Sequence, residues 1–237
     1  MRDTRDITTR MANRSDRLAI CALLQQAWHS AGGARWDQLD ALQAGCAGVV
    51  AYRGTHPVGV ALFELRAQPV GRLSAMAVAD QEQVGAIWSR LWQTATPYLR
   101  EHGLRSACYI GDAPWLLEIL EEQGFRRINT VVNYEKVQGD PVIAGSPGVR
   151  LRPMRPADLD TVVEIDAAAF PELWRFPRPM LEAMLQPLSR LTVAEFDRRL
   201  VGYQLCTQEG HEGQIARLAV LPEYRRQGIG TRLLADT

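Results

Sequence analysis

Cysteine is scarce in this sequence of 237 residues, which has only four. These residues, Cys21, Cys46, Cys108 and Cys206, lie far apart and form no Cys-x-x-Cys pair. A disulfide framework or a zinc site needs ligands at characteristic spacings, so neither is expected. Each cysteine is predicted to be a small buried apolar residue, and no metal is predicted.

An excess of charge is also absent, because 27 Lys and Arg balance 27 Asp and Glu. Nothing in this balance favours nucleic acid or an anionic membrane as a partner. No apolar run reaches the ~18 residues that a membrane helix needs, and the charged N-terminus does not read as a signal peptide. With 46% hydrophobic residues, we expect a soluble, cytoplasmic protein of one large or two small domains.

What the sequence does contain is an apolar strand, a short basic turn with two glycines and a helix start, over residues 218–231. Gly228 and Gly230 let the backbone approach a ligand closely, and the first amides of a helix have no partner within the helix. The helix start adds partial positive charge, and Arg225 and Arg226 add full charges. The pattern predicts an anion site that suits pyrophosphate.

Two common phosphate motifs do not fit this turn. A Walker loop needs Gly-Lys-Ser/Thr, whereas Gly230 is followed by Thr231 and Arg232. A dinucleotide fingerprint needs a third glycine where this chain has Leu233.

The turn, Arg-x-x-Gly-x-Gly after a Val-x-Pro strand end, resembles the central motif of the GNAT superfamily of acyl-CoA-dependent N-acyltransferases. In that family the loop amides hold the pyrophosphate of coenzyme A, and the strand end pairs with the pantetheine amides. The resemblance implies acetyl-CoA as co-substrate. The alternative is a basic, glycine-containing turn with no ligand. The implied cofactor residues are Leu218, Ala219, Val220, Arg225, Arg226, Gln227, Gly228, Ile229, Gly230 and Thr231.

The chain also contains an internal repeat, because the pattern of residues 7–16 recurs 142 positions later. The same offset relates residues 76–78 to residues 218–220, which indicates duplication. We therefore predict a first domain over residues 1–137, a Gly- and Pro-rich linker over 138–148 and a second domain over 149–237. The expected fold class is α/β, with a mixed, largely antiparallel central sheet flanked by helices in each domain.

In the first copy, periodicity predicts helices over residues 16–30, 36–43, 81–102 and 114–123. Trp28 falls on the apolar face of the first. A strand is predicted near Ile7, and others over 48–53, 57–66, 71–79, 105–110 and 126–137. This copy resembles a GNAT domain that has lost its chemistry. Glu82 stands in the degenerate turn, and Leu120 takes the place of the family's thiolate-protonating tyrosine. We expect a scaffold or a substrate wall.

The second copy is expected to be incomplete. Its predicted strands cover residues 149–153, 189–196, 200–207 and 214–221, and its predicted helices cover 157–168, 178–185 and 228–236. Extrapolation from the repeat leaves roughly 40 residues missing at the C-terminal end. We expect a fragment of a longer protein, the alternative being that another chain or the first domain covers the exposed edge.

The chemistry implied by the resemblance places the amide of Val220, or of a neighbour, at the thioester oxygen. Gln214 occupies the position of the family's usual glutamate base, so the base would be Glu212, His211 or Glu209. These three residues are alternatively solvated hairpin residues. The acceptor region includes Trp174, Arg175 and Phe176, whose rings and charge would bind an amine substrate that carries a carboxylate. Alternatively this segment is a loop anchored in the core.

Two functions follow from these observations. One is an N-acetyltransferase that moves an acetyl group from acetyl-CoA to a primary amine of a small molecule or an amino terminus. The other is a non-catalytic CoA-binding or scaffold protein. No nucleic-acid or membrane partner is expected, and a homodimer is left open.

Overall fold

The computed structural model describes residues 6–32, 45–65, 69–135, 145–185, 189–209 and 212–236, except for the side chains of Glu209 and Glu212. Two compact units are present, Met1–Val131 and Val132–Thr237. The boundary between these units, after Val131, lies before residue 137, where the first domain was predicted to end. The predicted helix over 36–43 and residues 136–144 lie outside the described residues. The last part of the predicted linker packs on the second unit, where the Ser146 amide donates to the Gly228 carbonyl at 3.2 Å.

The first unit is built on a mixed sheet. Its strands are β1 (Ile7–Met11), β2 (His29–Ala31), β3 (Cys46–Arg53), β4 (His56–Glu64), β5 (Val70–Val78) and β6 (Ser106–Tyr109). They pair antiparallel in the order β1-β3-β4-β5-β2, while β6 runs parallel to β5. The helices are α1 (Arg17–Gln26), α2 (Val84–Glu101) and α3 (Pro114–Glu122).

Alternation along the strands of the first unit produces two apolar faces. Val49 and Phe63 pack with Trp88 of α2 in one cluster. Val50 and Ile20 of α1 belong to the other. The sheet is therefore covered by helices on both faces.

The second unit has an antiparallel sheet in the order β10-β9-β8-β7. Its strands are β7 (Arg150–Pro153), β8 (Ser189–Phe196), β9 (Arg199–Glu209) and β10 (Glu212–Val220). Its helices are α4 (Leu159–Ala169), α5 (Arg178–Ala183) and α6 (Ile229–Leu234). The predicted α/β class is confirmed in both units. Within the described ranges, no helix is long and apolar enough to cross a membrane.

The first predicted helix is too long. It ends at Gln26 instead of Ser30, and Trp28 is 84% exposed instead of buried. The Trp28 amide donates to the Asp80 carboxylate at 2.7 Å, and the following residues pair with β5 as strand β2. The edge of β5 supplies backbone partners, so tertiary pairing overrides the local helical pattern.

The predicted closing strand over 126–137 is wrong over its described part, because residues 126–135 form no strand. Val132 and Tyr134 are 61% and 94% exposed. Their β propensity has no effect without a neighbouring strand to pair with, and none is recorded for this segment in the described ranges. Helix α6 is also shorter than the predicted 228–236.

Candidate functional site

A cavity of about 220 Å³ lies where β10 ends and α6 begins. The backbone of this loop passes through the left-handed region at Arg226 (φ 60°) and Gly228 (φ 77°). A non-glycine residue in that region is held against its preference, as is common in ligand-binding loops. The cavity is lined by Tyr224 and by seven predicted cofactor residues, namely Val220, Arg225, Arg226, Gly228, Ile229, Gly230 and Thr231.

The two arginines of the loop have different surroundings. Arg225 donates from Nε to the Val220 carbonyl at 3.3 Å and from Nη2 to the Ala169 carbonyl at 3.0 Å. It therefore ties the turn to the end of α4. Arg226 is exposed, and no hydrogen bond or ion pair is recorded for its side chain among the described residues. The Arg226 guanidinium is therefore available to bind an anion at this loop.

The end of β10 presents backbone groups at an open edge. The Leu221 amide donates to the Val201 carbonyl at 2.8 Å, while Val220 stands opposite Gly202. Hydrogen-bonded and non-hydrogen-bonded pairs alternate in an antiparallel ladder. The amide and carbonyl groups of Val220 and Leu218 therefore point away from β9. No described strand lies on that side of β10.

The predicted catalytic residues do not form one centre. Glu212 begins β10 and Val220 ends it. At a rise of about 3.4 Å per residue, their Cα atoms are roughly 27 Å apart, too far for both to act on one atom. Gln214 is exposed and stands opposite Thr207. His211 lies outside the described residues.

The predicted acceptor residues lie on the segment between α4 and α5. The Phe176 amide donates to Asp166 Oδ1 at 2.7 Å, and its half-buried ring packs against the core of the second unit. Arg175 is exposed and donates from Nε to the Phe170 carbonyl at 3.1 Å. Trp174 is half-buried. Phe176 therefore anchors this segment in the core, which agrees with the alternative prediction of a loop anchored there.

Three residues that sequence reasoning missed meet beneath this loop. Asp166 is fully buried and accepts from the Tyr203 hydroxyl at 2.5 Å and from Arg217 Nε at 2.8 Å. Burial, and then the bond to Asp166, raise the pKa of Tyr203 well above its usual range. The sequence signal that could have found them is a charged residue among apolar ones, since Asp166 follows Val162 and Val163 by one helical turn and Arg217 alternates with Ile215 and Ala219.

The first unit presents a different surface at the corresponding place. Glu82 accepts two hydrogen bonds from Arg53, at 2.9 and 2.7 Å. Both residues line a cavity of about 400 Å³ together with His56 and Asp80. The edge of β5 is occupied, since Val78 pairs with His29 of β2. Met76 and Val78, which correspond to Leu218 and Val220 at the open edge of β10, therefore already pair with β2.

Comparison with known proteins identifies the second unit. Residues 159–236 match the model of the acetyltransferase (GNAT) family. The chain contains a GNAT-family acetyltransferase domain. The match includes the loop, the cavity and the open edge of β10.

Two curated relatives are similar to part of the chain. A putative [ribosomal protein bS18]-alanine N-acetyltransferase of Bacillus subtilis (strain 168) is 35% identical over 83 residues, which are 35% of this chain and 55% of the relative. An N-alpha-acetyltransferase of Sulfurisphaera tokodaii is 32% identical over 97 residues, 36% of this chain and 58% of the relative. The chain thus spans little more than half the length of these relatives.

Two solved structures share the fold of nearly the whole chain. One is a tandem GNAT protein from the clavulanic acid biosynthesis pathway, with a TM-score of 0.60, 17% identity and coverage of 97% of this chain and 84% of that one. The other is a GCN5-related N-acetyltransferase from Sphaerobacter thermophilus, with a TM-score of 0.61, 18% identity and coverage of 98% and 81%. The predicted tandem GNAT fold is confirmed.

Proposed function

We propose that the protein transfers an acetyl group from acetyl-CoA to a primary amine, on a peptide amino terminus or a small molecule. The observation that carries this proposal is the cavity between β10 and α6, which is lined by the loop of the GNAT domain. Its features are a left-handed glycine, an exposed arginine and a neighbouring strand edge that pairs with no described strand.

The residues present fit an acyl-CoA. Amides of the loop around Gly228, together with the Arg226 guanidinium, would hold the pyrophosphate, because successive backbone N–H groups in such turns form an anion-binding concavity. The backbone groups of Leu218 and the amide of Val220 would pair with the pantetheine arm, while the Val220 carbonyl accepts from Arg225 at 3.3 Å. Acetyl-CoA supplies an activated acetyl thioester when bound.

The chain would contribute an oxyanion donor from the same strand edge. The N–H groups of Leu218 and Val220 both face the open side of β10. A backbone donor aimed at the developing negative charge is worth about 100-fold to 1,000-fold in rate. Either amide would supply it without any side-chain rearrangement.

The general base of the proposed reaction would come from the turn between β9 and β10. Glu212, His211 and Glu209 are the candidates, with Gln214 unable to accept a proton. Because the Cα atoms of Glu212 and Val220 are roughly 27 Å apart along β10, a single bridging water cannot connect them, and a base in this turn would take the proton of the amine only through a chain of bound waters. General base assistance is commonly worth about 100-fold to 10,000-fold.

A peptide amino terminus is the first acceptor to test. The relatives from Bacillus subtilis and Sulfurisphaera tokodaii are named for acetylation of an alanine of a ribosomal protein and for N-alpha-acetylation. The half-buried Trp174 and the exposed Arg175 would meet the acceptor, with Phe176 anchoring the loop. The same surface would accept a small amine that carries a carboxylate.

The first unit is proposed to bind no CoA and to serve as a scaffold. Near the place of the phosphate loop, Arg53 donates two hydrogen bonds to Glu82, so this arginine is used by an internal ion pair in place of a pyrophosphate. Strand β2 occupies the edge of β5 at Met76 and Val78, so the pantetheine arm would find no free backbone groups there. One CoA per chain follows from this arrangement.

The second candidate is a CoA-binding protein without turnover, which Gln214 in the place of a glutamate favours. Calorimetric titration of CoA and acetyl-CoA would be combined with a free-thiol assay over a panel of amines and short peptides. Thiol release that depends on the amine supports the transferase. Binding without release supports the second candidate, and absence of binding contradicts both.

A further inference from the structure

Arg217 lies in the interior of the second unit with its charge fully matched. It is 8% exposed, and it donates from Nε and Nη2 to the two oxygens of Asp166, at 2.8 and 3.0 Å. The Tyr203 hydroxyl donates to the same carboxylate at 2.5 Å. The carboxylate thus has bonds on both oxygens, which a buried charge requires.

The same guanidinium is fixed by the loop that was predicted to bind the acceptor. Its carbon lies 3.5 Å from the centroid of the Phe170 ring and 3.9 Å from that of Phe176. It also donates a hydrogen bond to the Trp174 carbonyl, and Asp166 accepts from the Phe176 amide at 2.7 Å. Arg217 and Asp166 therefore hold both ends and the middle of this segment.

The first unit shows that this fold does not need such a network. The repeat offset places Leu24 at the position of Asp166 and Ala75 at that of Arg217. Val60 stands opposite Ala77 as Tyr203 stands opposite Ala219. These three residues belong to one apolar cluster. The second unit thus has a buried ionic network where its own repeat has a hydrocarbon core.

Fold stability gives little reason for that difference. Removing two charges from water is costly, and apolar replacement of such a group is often neutral or stabilising. The position of Arg217 relative to the proposed site explains the network better. Arg217 follows a β-bulge, where the pairing of β10 with β9 shifts between Ile215 and Arg217, and it directly precedes the open edge at Leu218.

We propose that Arg217 is a positioning residue that fixes segment 170–176 as the acceptor wall beside the open edge of β10. This proposal deepens the proposed function and rests on it. Arg217 need touch neither substrate. Through the two rings and the Trp174 carbonyl it sets the distance between the loop that meets the amine and the strand that meets the thioester.

The first unit supplies the design of the test. The triple variant Asp166→Leu, Tyr203→Val and Arg217→Ala gives the second unit the residues of its repeat, so it is expected to fold. We expect the affinity for CoA to stay within about threefold and kcat/KM for the amine to fall about 100-fold, the effect of a misplacement of about 1 Å. Amide hydrogen exchange of the non-proline residues in segment 170–176 is expected to rise about tenfold.

Single variants separate positioning from packing. Lys cannot replace a stacked, bidentate guanidinium, so Arg217→Lys is expected to raise the KM for the amine with little change in CoA affinity. Arg190→Met is the matched control, since it removes an arginine that is 63% exposed and paired with Asp236 at 2.7 Å. It is expected to alter neither the exchange of the loop nor turnover.

The outcomes distinguish this proposal from the one on which it rests. If the triple variant keeps the exchange protection of segment 170–176, or keeps turnover within about threefold, the role of Arg217 is overturned. If the unaltered protein binds CoA but acetylates no amine, the transferase proposal fails. Increased loop exchange in the triple variant would in that case still support Arg217 as the residue that orders the loop.

Discussion

Arg152 donates two hydrogen bonds to Asp158, at 2.6 and 2.9 Å. The same pair occurs 142 positions earlier, where Arg10 donates to both oxygens of Asp16 at 2.6 Å. In each unit this carboxylate also accepts a backbone amide, from Asn13 at 2.8 Å and from Arg155 at 2.7 Å. The repeat in the sequence is thus a repeat of geometry, and each pair fixes the first strand of a unit to the start of its first helix.

Asp158→Asn is expected to destabilise the protein at pH 7 by about 1–3 kcal/mol, because the asparagine leaves bonds to a charged group unmade. The hydrogen bond from Arg152 lowers the pKa of Asp158. A lowered folded-state pKa contributes stability above the unfolded-state pKa of about 3.9, and that stability is lost as the pH falls. The difference between the two proteins should therefore shrink from pH 7 to about pH 3 in denaturant titrations.

The control for this prediction is Asp160→Asn, because the Asp160 side chain is 79% exposed and pairs with Arg178 at the surface. Its effect is expected to stay below about 0.5 kcal/mol. A constant difference between Asp158→Asn and the unaltered protein over the whole pH range would contradict the ion-pair assignment.

Arg226→Gly is expected to weaken CoA binding about tenfold, or about 1.4 kcal/mol, without loss of stability. Glycine adopts the left-handed conformation that Arg226 holds at φ 60°, so the backbone strain is relieved while the charge is lost. Calorimetry and thermal unfolding would measure the two effects separately. Arg198→Gly is the matched control, since Arg198 is exposed with φ 63°. Equal affinity loss in both variants would show that Arg226 has no specific role.

Gly228→Asp is expected to abolish CoA binding, by steric block and by repulsion between the carboxylate and phosphate. Gly228 has φ 77°, and a Cβ there would stand 3.0 Å from the Ser146 amide, so any side chain also strains the loop. Gly228→Ala reports that strain alone. Calorimetric titration should show weakened binding with alanine and none with aspartate. Unchanged binding in the aspartate variant would refute the loop as the CoA site.

CoA is expected to bind with a stoichiometry of one per chain. The edge of β5 is filled by β2 through the pairs His29–Val78 and Ala31–Met76, and near the corresponding turn Arg53 is paired with Glu82. Titration should therefore fit a single site that Gly228→Asp removes. A second site, or residual binding in that variant, would contradict the scaffold role of the first unit.

Local patterns predicted much of this fold because they depend on neighbours in the chain. The sequence predicted strands β3, β4 and β5 and, from its helical period, helix α2. It also predicted the bounds of α3, from Pro114 and Gly124. Predictions failed where a distant partner decides the conformation. Residues 29 and 30 leave the predicted helix because β5 offers them hydrogen bonds. Residues 126–135 have strand-forming side chains but no described strand beside them.

The candidate site divides in the same way. The sequence alone predicted the loop between β10 and α6 as an anion site, because glycines and arginines at fixed spacing act through the local backbone. It also determined the repeat. Only the tertiary structure decided that Arg225 bonds to backbone carbonyls of the fold and that Asp166 and Arg217 meet under the segment between α4 and α5. It also decided that the edge of β10 is open while the edge of β5 is paired. Those outcomes depend on contacts between residues far apart in the chain, whose approach is set by how strands and helices pack.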